Sequence, residues 1–138
     1  MVDRETLLRR LGLLQDALAD LRRYRRQFDA AALRTNRDAQ HMVCHALYVA
    51  AQAAIDIGLH AAADAEQPGA ETYQQAFARL ADAGRLTPEL ARRMQGWAGL
   101  RNVLAHHYAT IDYERIATAM TSELDDLEQF VVAAAGWL

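Results

Sequence analysis

The sequence predicts an all-α fold: one antiparallel bundle of about five helices, with no strands. Three observations lead there. Alanine and leucine abound while Val, Ile and Thr are sparse and scattered, a mix that favours helix over strand. Apolar residues recur at spacings of three and four along several segments, the period of a helix with one buried face. Proline is confined to Pro68 and Pro88, one in an expected loop and one at an expected helix start. At 138 residues and 52% hydrophobic content the chain suits a single domain with its own core. No internal repeat or low-complexity tract divides it, so residues 1–138 are read as one unit with short connections.

The first helix is expected from about Asp3 to Phe28, with Leu7, Leu8, Leu11, Leu14, Leu18 and Leu21 as its buried stripe. The second runs from about Asn36, a candidate N-cap, to Ala63. It carries Met42, Val43, Leu47, Val49, Ala50, Ala53, Ala54 and Ile57, and its small residues permit close helix contact. Asp64 to Ala70 contains Gln67-Pro68-Gly69 and reads as a loop. A shorter helix, about Thr72 to Ala83, points Phe77 and Leu80 inward and stops at Gly84. Thr87-Pro88-Glu89 opens the fourth helix with a capping hydroxyl, proline in the first turn and an acid at the positive end. Leu90, Met94, Trp97, Leu100 and Leu104 form its inner face. Asp112 caps the last helix, about Tyr113 to Trp137, with Ile116, Met120, Leu124, Leu127 and Val131 inward.

Composition limits the function classes. The formal net charge of -3 argues against indiscriminate nucleic-acid binding, yet the charge is unevenly spread. All 15 basic residues are arginines, and seven of them (Arg4, Arg9, Arg10, Arg22, Arg23, Arg25, Arg26) lie in the first 26 residues. The acids Glu114, Glu123, Asp125, Asp126 and Glu128 gather near the other end. Cys44 is alone, so no intramolecular disulfide forms. Met1-Val2-Asp3-Arg4-Glu5 is no signal-type apolar run, and no uninterrupted apolar stretch of about 18 residues occurs. The expectation is a cytoplasmic protein with no membrane span.

The stretch Arg101-Asn102-Val103-Leu104-Ala105-His106-His107-Tyr108 carries the chemistry. An arginine keeps its charge and can hold a phosphate. A histidine can move a proton near neutral pH. Together they suffice to cut RNA without a metal, because RNA brings its own nucleophile, the 2′-hydroxyl. Helix geometry constrains how they meet. At 100° per residue, Arg101 and His106 stand about 140° apart, whereas Arg101 and Tyr108 share nearly one side and Asn102 shares a side with His106. Either the helix end distorts, or two copies face each other across a dimer; the second arrangement is favoured. Two His106 side chains then serve as base and acid, both Arg101 side chains hold the phosphorane, and Asn102 adds a hydrogen bond.

Other groupings have plainer readings beside functional ones. The same arginine, histidine and tyrosine also fit a helix cap and an interface, as in a non-catalytic module that binds a partner protein or nucleotide. His41 and His45, one helical turn apart with Cys44 between them, have zinc-binding spacing but no acidic third ligand near, so a packed helix face or a dimer interface is the simpler reading and no metal is expected. Arg22, Arg23, Arg25 and Arg26 around Tyr24 fit an RNA grip or a solvated helix end. Glu123, Asp125, Asp126 and Glu128 read as a solvated face, and Trp97 and Trp137 as core or interface anchors.

The spacing from Arg101 through His106 to Tyr108 resembles the arginine, four residues, histidine, one residue, tyrosine signature of HEPN domains. More closely, the chain resembles the HepT-like toxins of HEPN–MNT toxin–antitoxin pairs over about residues 30–135. The likeness includes Arg37-Asp38, the segment Ala53-Ala54-Ile55-Asp56-Ile57, and Tyr73, Phe77, Leu80 and Gly84. His107 stands where many relatives carry an acidic or other polar residue, and the arginine-rich first helix, residues 1–28, lies outside the likeness. The resemblance implies a homodimeric, metal-independent endoribonuclease that needs no cofactor. It puts the family's arginine at Arg101, its catalytic histidine at His106 and its tyrosine at Tyr108. It further implies an MNT-type nucleotidyltransferase antitoxin that silences the toxin by transferring AMP to Tyr108.

Overall fold

The computed structural model describes residues 3–64 and 72–138, and among these it contains seven α-helices and no strand. They are α1 (Arg4–Gln27), α2 (Ala30–Thr35), α3 (Arg37–Asp64), α4 (Tyr73–Asp82), α5 (Pro88–His106), α6 (Tyr113–Ser122) and α7 (Leu124–Ala135), with a short 3-10 turn at Tyr108–Thr110. The all-α bundle expected from the sequence is the fold observed. Two helices more than the expected five arise for local reasons. Asp29 caps an unforeseen short helix, its side chain accepting from the Ala32 N–H at 2.8 Å, and Leu33 anchors that helix in the core. The long last helix breaks at Glu123. Thr118 and Thr121 donate back to the carbonyls of Glu114 and Ala117, a pattern that bends helices, and Glu123 is drawn aside to Arg115 at 2.7 Å. The expected loop with Gln67-Pro68-Gly69 lies outside the described residues, and α3 itself continues through Asp64.

The caps fall where the sequence put them. Thr87 Oγ1 accepts from the Leu90 N–H at 3.1 Å with Pro88 in the first turn, Asp112 accepts from Glu114, and Asn36 accepts from Ala39. Gly84 ends α4 with φ of 77°, a left-handed conformation that side-chain-bearing residues rarely adopt. Thr87→Ala removes one cap of α5, the helix that carries the motif. Its expected cost is about 1 kcal/mol, read as a melting temperature lower by about 4 °C.

The core sits around α3, which packs against α1, α2, α4, α5, α6 and α7. Val43, Leu47, Ala50, Ala54 and Ile57 of α3 are fully buried. In α5 Leu90, Met94, Trp97, Leu100 and Leu104 are all buried, as the spacing predicts. Leu8 and Met42 depart from their expected stripes and stand exposed: each lies at the margin of its helix's apolar face. Val131 is only half-buried, and Phe130 takes the inward place. Phe130 meets Phe77 edge to face at 5.8 Å and Trp137 at 5.9 Å. Gly58 makes the α3–α4 approach feasible, since a Cβ there would lie 3.0 Å from Phe77 Cε1.

By length and composition alone, the segment 37–63 of α3 is apolar enough to cross a membrane, with mean hydropathy 1.5 in its most apolar window. More than half of that window is buried within the bundle, as befits a core helix. The acidic residues near the end are not simply a solvated face. Glu123 pairs with Arg115, Glu128 with Arg22 at 2.9 Å, and Asp126 with Arg93 at 3.1 Å, while Asp125 is exposed. Asp126 also accepts from the Trp97 indole N–H at 3.3 Å, satisfying the one polar atom of that buried ring.

Candidate active site

Three elements build the site. The face of α3 presents Tyr48, Gln52 and Asp56 at successive turns. A capping box, in which Thr72 accepts from the Gln75 N–H and Gln75 accepts from the Thr72 N–H, fixes the start of α4 and so the place of Tyr73. The C-terminal half of α5 supplies Arg101, Asn102 and His106.

Arg101 is half-buried and held on four sides. Its Nε donates to Gln52 Oε1 at 2.7 Å, and Nη1 donates to Asn102 Oδ1 at 3.1 Å. Its Cζ lies 5.2 Å from the Tyr73 ring centroid and 5.7 Å from that of Tyr48, within range for cation–π attraction. Gln52 is oriented in turn, its Nε2 donating to Asp56 Oδ1 at 2.9 Å. Arg10 of α1 donates to the Asp56 backbone carbonyl at 3.0 Å, tying the relay to the first helix. Nη2 of Arg101 makes no hydrogen bond among the described residues, which leaves a charged donor edge for an anion.

His106 is the last residue of α5 and is exposed. The helix stays regular up to it, so the less favoured alternative, a distorted helix end, does not bring it round to Arg101. None of the hydrogen bonds of Arg101 reaches His106. His106 instead shares the outer face of α5 with Arg92, Gly96, Gly99 and Val103, all of them exposed or half-exposed. A Cβ built on Gly96 or Gly99 meets nothing within 4 Å, so this face is open.

Tyr108 corrects one expectation. The helix ends at His106, with His107 as the C-cap, and Tyr108 begins the 3-10 turn. The seven-residue spacing therefore does not stack Tyr108 on the Arg101 side, because that argument assumed a continuous helix. Tyr108 is 73% exposed and reaches the site another way. It lines a cavity of about 330 Å³ together with Tyr48, whose ring also lies beside Arg101.

The remaining candidates separate. Among the described residues no three His, Cys, Asp or Glu side chains gather as a metal site, His41 and His45 included. Within the basic cluster, Arg22 is paired with Glu128, and Arg23 is paired with Asp20 at 3.0 Å and lies over the Tyr24 ring; Arg25 and Arg26 are exposed. Sequence reasoning gave no role to Tyr48, Gln52, Asp56 or Tyr73. The available signal was the i, i+4, i+8 spacing of the first three on one face of an otherwise apolar helix.

Known proteins are similar to this chain in sequence or in fold. A tRNA nuclease HepT from Aphanizomenon flos-aquae (strain 2012/KM1/D3) is 35% identical over 85 residues, 62% of this chain. That match spans 58% of the relative's length. The tri-AMPylated HEPN toxin of Shewanella oneidensis, solved in complex with an MNT antitoxin, superposes with a TM-score of 0.87 at 19% identity, covering 97% of this chain and 99% of that one. A toxin–antitoxin crystallised with AMP-PNP gives 0.87 at 18% identity, covering 96% and 99%. At such identities the structural likeness speaks for the fold. Residues 14–134, which take in more than half of α1, match the ribonuclease HepT-like family, and the chain belongs to it.

Proposed function

We propose that this chain is a metal-independent endoribonuclease, the toxin of a HEPN–MNT pair, acting in the cytoplasm on structured RNA of the tRNA class. The observation that carries the reading is the held guanidinium of Arg101, one donor edge open, on the helix that ends in an exposed His106. The active unit in this reading is a homodimer. Gly96 and Gly99 give the outer face of α5 a surface that a second α5 can approach closely, and His106 lies on that face. The two copies then place both His106 side chains at one scissile phosphate.

The step balances without a cofactor. One His106 takes the 2′-hydroxyl proton as that oxygen attacks phosphorus. The P–O5′ bond breaks, and the other His106, protonated, gives its proton to the leaving 5′-oxygen. Arg101 holds the phosphorane oxygens, and Asn102 keeps Arg101 Nη1 in place. The products are a 2′,3′-cyclic phosphate and a 5′-hydroxyl. Arg25 and Arg26, exposed at the end of α1, are the members of the basic cluster left for the RNA backbone.

Tyr108 is the control point in this proposal, its exposed ring being open to AMP transfer by an MNT-type nucleotidyltransferase. The added group brings negative charge and bulk to the edge of the site, where it repels and blocks RNA. Expression of the chain alone should arrest growth, and His106→Ala or Arg101→Ala should relieve the arrest; two variants as toxic as the parent would overturn the assignment. With the nucleotidyltransferase and ATP, intact mass should rise by one or more AMP units in the parent and stay unchanged in Tyr108→Phe.

A further inference from the structure

We propose that the cavity between α3 and the end of α5 is a nucleobase pocket, seating a base whose own phosphate lies at Arg101. This rests on Arg101 being the phosphate holder. The cavity, about 330 Å³, is lined by Cys44, His45, Tyr48, Leu104, Tyr108 and Ile111 among others. Its lining suits a flat, neutral, aromatic group. Leu104 and Ile111 give an apolar wall, Tyr48 and Tyr108 offer two rings for stacking, and His45 provides a polar edge.

Two further features select a nucleotide over a plain apolar ligand. The Tyr48 ring belongs to both places: it lines the cavity, and Arg101 Cζ lies 5.7 Å from its centroid. A base against the cavity side of Tyr48 would thus share that ring with the guanidinium of Arg101. None of the lining residues is acidic, and burial pushes the Cys44 thiol up to about 11, so it is uncharged at neutral pH. A pocket without a carboxylate beside a fixed cation matches a base joined to a phosphate. The base comes either from the RNA strand or from an adenylyl group on Tyr108, and the chemistry recognised is the same.

Cys44 is the only cysteine, so alkylation followed by intact mass reads the cavity at one atom. At alkaline pH, 5′-AMP at about 10 mM should slow alkylation of Cys44 several-fold, while ribose 5-phosphate, which lacks the base, should not. Tyr48→Ala should abolish the protection. Should the thiol prove unreactive in the free protein, saturation-transfer NMR on AMP decides: the base protons should receive more saturation than the ribose protons. Equal effects of AMP and ribose 5-phosphate, or no effect of either, would overturn the pocket. The two assignments fail differently. Protection by adenosine equal to that by AMP keeps the pocket and removes the phosphate from Arg101, whereas Arg101-dependent RNA cleavage without protection removes the pocket alone. Protection in Tyr108-adenylylated protein without added nucleotide assigns the occupant to the adenylyl group; protection by free AMP only assigns it to RNA.

Discussion

Replacing His106 with alanine should lower RNA cleavage by the purified chain about 10²–10⁴-fold, the usual contribution of a positioned proton-transfer group. The fold should be unaffected, because His106 is exposed and terminates α5 without filling the core. Arg101→Ala should cost about 10²–10³-fold through loss of phosphate stabilisation. Arg101→Lys separates charge from geometry. Lysine keeps the positive charge but cannot reproduce the planar fork that donates to Gln52 and Asn102 between Tyr48 and Tyr73. It should therefore recover little of the lost rate. Single-turnover cleavage with matched melting curves distinguishes these losses from unfolding. Rates near that of the parent in both alanine variants would mean that the chemistry lies elsewhere.

The largest stability effect is expected at Phe77. Its ring is fully buried, packs edge to face on Phe130, and fills the space left by Gly58. Phe77→Ala removes the ring and leaves a cavity that α3 and α4 cannot close without moving their backbones. The expected loss is about 3–5 kcal/mol, a large part of the roughly 5–15 kcal/mol that holds a domain of this kind together. The melting temperature should fall by roughly 10–20 °C. A fall of only a few degrees would show that the α3–α4 contact carries little of the core.

The bundle was legible because its elements obey local rules. Thr87-Pro88-Glu89, Asp112, Asn36 and Gly84 are cap and stop signals whose partners lie within a few residues, so the sequence contains both halves of each interaction. The motif was legible for the same reason, as eight consecutive residues. The setting of Arg101 was not. Gln52 lies 49 residues away on another helix, and Tyr73 begins a third. Those contacts come from the packing of α3, α4 and α5, which periodicity alone does not specify. Tyr108 was misplaced because a helical wheel has no term for where a helix stops. The break at Glu123 was missed because its cause, a pair of back-bonding threonines and an arginine partner, competes with a strong apolar stripe that continues through it.

The ends left on cleaved RNA test the central claim most directly. Purified chain, incubated with tRNA in EDTA, should leave 2′,3′-cyclic phosphate and 5′-hydroxyl ends, and the His106→Ala chain should leave the RNA intact. Intact RNA with the parent chain, or 5′-phosphate ends formed only when a divalent metal is restored, would contradict a site in which Arg101 and His106 cut RNA with its own 2′-hydroxyl.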